Sequence, residues 1–214
     1  MRDMHSSGRD EHRASIGGTS RFVRSLRSPD NARVSISERN LGATWVVATV
    51  VGWAIGFFVC EALKAFVSTF LVDGLIVGTF IGIAQGLVVR RGIAPLGWWV
   101  LVTIAGFGVG LAAGEALALN LSGPVGDVVT GVIIGAAVGI AQWLILRRGL
   151  AQAVWWIPAN IAAWGLGWTL IRLVDDSATS TLVIYLVGAA GAAVAGIITA
   201  IALISLMRRH SLAA

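Results

Sequence analysis

Three kinds of side chain are nearly missing from this chain. Its 214 residues include one cysteine, Cys60, so no intrachain disulfide can form. The three histidines, His5, His12 and His210, lie near the termini, a spacing that offers no metal site. Charge is the third scarcity: only 13% of the residues are charged, and from Leu41 onward there are eight basic and six acidic side chains. There is also no Ser-His-Asp set, no metal-ligand cluster and no phosphate-binding glycine loop. The many GxxxG matches lie inside apolar runs and are not nucleotide motifs. These absences leave no expected catalytic residue, metal or cofactor.

What is present is apolar. Hydrophobic residues make up 57% of the chain, with nine Trp and 27 Gly, and the mean hydropathy is +0.83. A soluble all-α core would leave these runs exposed as large contiguous patches, whereas Trp and Gly are both frequent in membrane helices and at their borders. The net charge of +5 and a pI near 10.9 raise nucleic acid as a partner. The arginines argue against it, because beyond the N-terminal arm they sit mostly in pairs at the ends of apolar segments. That is the placement the positive-inside rule gives to cytoplasmic loops. The lipid bilayer is the expected partner.

Residues 1–40 carry eight Arg and five acidic residues among many Ser, Gly and Asn. Such a composition predicts a disordered, basic cytoplasmic arm. A cleavable signal peptide would place its apolar region within the first ~30 residues, and here the first run starts near residue 42. It is therefore expected to act as an uncleaved anchor. Six apolar stretches follow, at about 42–63, 71–89, 96–119, 125–146, 153–174 and 182–207. Each is near or above the ~20 residues a helix needs to cross the hydrocarbon. The runs are continuous and do not alternate, so helices are expected and not barrel strands. Arg90–Arg91, Arg147–Arg148 and Arg208–Arg209 close the second, fourth and sixth. The opposite loops are expected to hold Asp73, Asp127, Asp175 and Asp176, with only Lys64 basic. The fold class that follows is all-α and integral to the bacterial cell (inner) membrane. It has six transmembrane helices in a domain over 41–209, both termini cytoplasmic, and a short tail at 210–214.

The segments repeat. "GIAQGLVVRRG" from Gly82 returns as "GIAQWLILRRG" from Gly139, 57 residues later. The odd segments align as "WVVATVVGWAIGFFVCEAL" from Trp45, "WVLVTIAGFGVGLAAGEAL" from Trp99 and "WIPANIAAWGLGWTLIRLV" from Trp156. Gln85 and Gln142 fall in register with Thr199. Three tandem helical hairpins are expected, over about 42–92, 96–149 and 153–209, all inserted the same way round.

On a helix at 100° per residue, Gln85 shares a face with Gly82, Gly78 and Gly74. Gln142 does so with Gly139, Gly135 and Gly131, and Thr199 with Gly196, Ala192 and Gly188. A ridge of small residues lets membrane helices approach closely, and a polar side chain on it can hydrogen-bond across the contact. The first reading of the repeated phrase is a packing cassette; the alternative is a glutamine-lined ligand or ion path. Thr49, Thr103 and Asn160 lie four residues after their aligned Trp, at about the depth of Gln85 and Gln142. The six polar side chains are expected in one layer, either on a shared axis or in three separate seams.

Charge inside a membrane is a functional-site hypothesis by default. Glu61 and Glu115 align, and Arg172 takes their place in the third copy. Two readings apply: an interfacial set that reaches water or forms a packing salt bridge, or a charged gate or coordinating site at the outer leaflet. At least one of the acids is expected to pair with Arg172. Trp45, Trp98, Trp99, Trp155 and Trp156 read as headgroup-level anchors. Trp53, Trp164 and Trp168 are deeper, and a deep indole needs a partner for its N–H or a ligand to stack on, such as a pigment or lipid.

The phrase G-x-x-x-G-x-A-Q-[GW]-L-x-[VL]-R, followed by "WW" at the next helix, resembles repeats in poorly characterised bacterial polytopic membrane proteins. The likeness covers about residues 42–208. It implies a helical membrane domain and brings no activity or functional residue with it. The expected function is non-enzymatic: an accessory membrane subunit that binds a membrane protein partner, a second copy or a ligand. The alternative is a small transporter or channel using the polar layer between the hairpins.

Overall fold

The computed structural model describes residues 29–66, 69–90, 93–119, 121, 123–150, 152–175 and 180–213. Most of the expected arm, residues 1–28, lies outside that set. The chain divides into two units, Met1–Asn40 and Leu41–Ala214. Of the first unit, residues 29–40 are described, and they are helical.

The described residues form six α-helices and no strand. They are α1 (Pro29–Leu63), α2 (Phe70–Val89), α3 (Leu96–Ala118), α4 (Pro124–Leu146), α5 (Trp156–Asp175) and α6 (Thr181–Ala213), with a 3-10 turn at Ala153–Trp155 before α5. Long apolar runs become helices because a helix satisfies its own backbone donors and acceptors where no water can. Local signals set several starts. The Thr69 side chain caps α2 by accepting from the Val72 N–H at 3.3 Å. Pro124 opens α4 at a position whose N–H has no partner in a helix. Asp73 and Asp127, expected in loops, instead occupy the first turns of α2 and α4, where the helix dipole favours negative charge.

Among the described residues, five helices are long and apolar enough to cross a membrane: Asn40–Leu63 within α1, then α2, α3, α4, and Thr181–His210 within α6. Six were expected. α5, the expected fifth span, is not among the five. Asn160 is buried and its amide donates to the Trp156 carbonyl at 2.9 Å, so the bundle absorbs its polarity. The outward faces carry Val47, Phe58, Leu101, Val109, Leu166 and Ile201, each more than half exposed. A surface of that kind belongs in lipid.

Glycine decides how the helices of the second unit meet. A Cβ on Gly52 or Gly56 of α1 would press on the backbone of Ile81 or Val77 in α2, at 2.7 and 2.8 Å. Gly78 and Gly82 of α2 face α3 in the same manner, and Gly106 and Gly110 of α3 face α4. Gly131, Gly135 and Gly139 of α4 abut α5, while Gly167 of α5 and Gly191 of α6 face each other. Gly188 and Gly196 of α6 return to Trp53, Val46 and Thr49 of α1. Each helix thus packs on the next and the sixth on the first, closing a ring around one axis. Two core clusters fill that axis. One surrounds Trp45, Trp99 and Trp156 with Leu146 and Leu203; the other holds Trp53, Ile81, Phe107, Ile134 and Trp164.

These contacts give a discriminating test. Gly135→Ala would set a methyl against the Asn160 carbonyl and within 2.7 Å of Ile161 Cα, so backbone itself must move. Overpacking of this kind costs ~1–3 kcal/mol and outweighs the ~1 kcal/mol that Ala gains over Gly in a helix. Gly97 on α3 has nothing within 4 Å of its built Cβ. Thermal melts in detergent should show Gly135→Ala clearly destabilised and Gly97→Ala unchanged or slightly stabilised. Equal melting temperatures would contradict the close approach of α4 and α5.

Candidate functional site

The two ends of the bundle differ in chemistry. At the end bearing Arg90 and Arg147, the axis is filled by three indoles. Trp45, Trp99 and Trp156 are each fully buried. Their ring centroids lie 5.9, 6.0 and 6.4 Å apart in edge-to-face pairs, a geometry that aligns ring edges with the negative faces of their neighbours. The anchors expected at the headgroups therefore split. Trp98 and Trp155 lie on the outside, each 61% exposed, while the tryptophan that follows each of them plugs the core.

All six expected polar residues, Thr49, Gln85, Thr103, Gln142, Asn160 and Thr199, are buried, and they occupy the seams around that plug. The Gln85 amide donates to the Thr49 hydroxyl at 3.0 Å, and Gln142 donates to Thr103 at 3.0 Å. Thr49 and Thr103 in turn donate to the carbonyls of Trp45 and Trp99, at 2.9 and 2.7 Å. The indole N–H of Trp156 donates to Gln142 Oε1 at 2.9 Å, and that of Trp45 to Thr199 Oγ1 at 2.9 Å. The matching bond in the α2–α3 seam would join Trp99 to Gln85. It is not made: Trp99 Nε1 and Gln85 Oε1 are both buried without a partner.

The other end is hollow. A cavity of about 250 Å³ is lined by residues from all six helices. Its walls follow the odd helices in steps of four residues from the indole plug. Trp53, Phe107 and Trp164 come first, then Phe57, Leu111 and Trp168, then Glu61, Glu115 and Arg172 at the mouth. Phe107 and Trp164 meet edge to face at 4.7 Å, and Trp53 stacks on Phe57 at 5.1 Å. The Trp168 N–H is buried without a partner.

The aligned charged residues do come together at one cavity. Their ion pairs, however, run partly to other residues. Arg172 Nε donates to Asp127 Oδ1 of α4 at 3.1 Å, and Glu61 pairs with Lys64 at 3.4 Å. Sequence reasoning missed Asp127 because Phe70 and Ile184 stand at the matching positions of α2 and α6, so no repeated acid marked the site. It also missed Phe57 and Leu111 in the wall, although their spacing was legible in the aligned segments; Trp168, beside them, had been marked as a deep indole.

A helical, multi-pass membrane protein with an axial plug and an axial cup is the class these features define. Comparison with known proteins adds no name: no family model, no curated protein and no solved structure matches the chain.

The unequal seams predict unequal costs. Trp156→Phe and Trp99→Phe remove the same indole surface, but only the first strips a buried acceptor, Gln142 Oε1, of its donor. An acceptor left unsatisfied costs ~1–3 kcal/mol. Equilibrium unfolding in detergent should show Trp156→Phe less stable than Trp99→Phe by about that margin. Indistinguishable losses would mean that the two seams are equivalent.

Proposed function

We propose that the protein is a non-enzymatic, ligand-binding membrane subunit, and that its site is the aromatic cup. Six spans arranged as three tandem hairpins, both termini in the cytoplasm and a bacterial inner membrane complete the reading. On that orientation the arginine pairs face the cytoplasm and the cup faces outward. Buried hydrogen bonds from Gln85 to Thr49, from Gln142 to Thr103 and from the Trp156 and Trp45 indoles to Gln142 and Thr199 support a packing role for Gln85, Gln142 and Thr199. The single observation that carries the reading is a cavity walled by six helices and closed inward by the buried Trp53, Phe107, Ile134 and Trp164, with three fully buried tryptophans further along the axis. A dead-end cavity holds a ligand; a conduit needs two open ends. Transport along the shared axis, the alternative, would require the plug to part.

Native mass spectrometry of the full chain, extracted in mild detergent, tests this reading. A stoichiometric small-molecule adduct is expected on the natural chain and not on Leu111→Trp, because Leu111 is a wall residue with room beside it. A protein that carries no adduct yet moves solute in liposomes would overturn the binding reading in favour of transport.

A further inference from the structure

The cup has a chemistry of its own. Six of its wall residues are aromatic: Trp53, Phe57, Phe70, Phe107, Trp164 and Trp168. The faces of such rings are negative and attract cations within ~6 Å of the ring centre. The mouth adds charge of the same sign. Glu61, Asp73 and Glu115 line the cavity together with Lys64 and Arg172. Both bases are already engaged, Lys64 with Glu61 and Arg172 with Asp127. With Asp127, four carboxylates face these two bases at the mouth, an excess of two negative charges.

Size narrows the class. About 250 Å³ sits at or below the small end of ligand cavities, ~300–1,000 Å³. An inorganic cation would want a shell of oxygen ligands, and the aromatic wall offers none. Resting on the ligand-cup reading above, we propose that the cup binds a compact organic ammonium ion. The ion's alkyl groups lie against Trp53, Trp164 and the other rings, and its charge faces Asp73 and Glu115. A protonated amine also brings N–H groups to these carboxylates, while a quaternary ammonium relies on the rings and the field alone. The class spans both.

Isothermal titration of the purified full chain with choline and with its uncharged isostere, 3,3-dimethylbutan-1-ol, separates charge from shape. Choline is expected to saturate, with the alcohol at least tenfold weaker. Glu115→Gln and Asp73→Asn should each weaken choline several-fold and affect the alcohol far less, with melts of the unliganded variants confirming that both remain folded. High salt should weaken choline in the same direction. Equal binding of choline and the alcohol, or choline binding indifferent to both substitutions, would overturn the ammonium assignment while leaving the cup intact. Failure of both probes overturns it too. A Leu111-dependent adduct on the natural chain would then show that the cup takes another ligand, and loss of that adduct as well would remove the cup reading itself.

Discussion

The hydrogen bonds of the central indoles govern the rest of this bundle. A tryptophan fully withdrawn from water keeps a polar N–H that is costly to leave unpaired, and Trp45 and Trp156, though not Trp99, find acceptors on a neighbouring helix, at Thr199 and Gln142. Those acceptors are within reach only because glycine lets the helix backbones come together. Gly139 lies against Asn160 and Ile157, and Gly196 against Thr49 and Val46. Apolar side chains gain nothing from one another in lipid that they would not gain from the lipid, so close packing and satisfied polar groups have to hold such helices. The polar seams and the glycine contacts are two sides of one constraint.

From the plug outward, the same constraint explains why the cavity lies at one end only. Large rings at Trp45, Trp99 and Trp156 fill the axis completely. Four residues on come the seam residues Thr49, Thr103 and Asn160, and eight residues on Trp53, Phe107 and Trp164 return to the axis in one buried cluster. One step further, the three positions hold unlike residues, Phe57, Leu111 and Trp168, and there the axis opens. Divergence between the aligned segments thus coincides with the hollow, and the charges gather beside it.

Much of this was legible in the sequence. Apolar run length and the absence of alternation gave an all-helical membrane chain, and the spacing of Gly78, Gly82 and Gln85 marked a contact face. Alignment of Glu61, Glu115 and Arg172 placed three charges at one level. What it could not give was direction around the ring. The glycines of α2 pack on α3, while the adjacent Gln85 amide reaches back to Thr49 on α1, and no linear spacing distinguishes those neighbours. Burial of one tryptophan in each "WW" pair was hidden for the same reason, since adjacent residues on a helix point about 100° apart and either could face lipid. Asp127 lacked any repeated counterpart.

The central claim is that water reaches the axis from the acidic end and stops short of the three indoles, at the buried layer of Trp53, Phe107 and Trp164. Single cysteines in a Cys60→Ser background test it directly, using a charged, membrane-impermeant methanethiosulfonate on the full chain in sealed vesicles of known orientation. Leu111→Cys, in the cavity wall, should be modified from the acidic side, and Leu146→Cys, 1% exposed among the indoles, should resist modification from that side. Modification of Leu146→Cys at a rate comparable to Leu111→Cys would mean that a continuous water path runs past the tryptophans, and the plug would not exist.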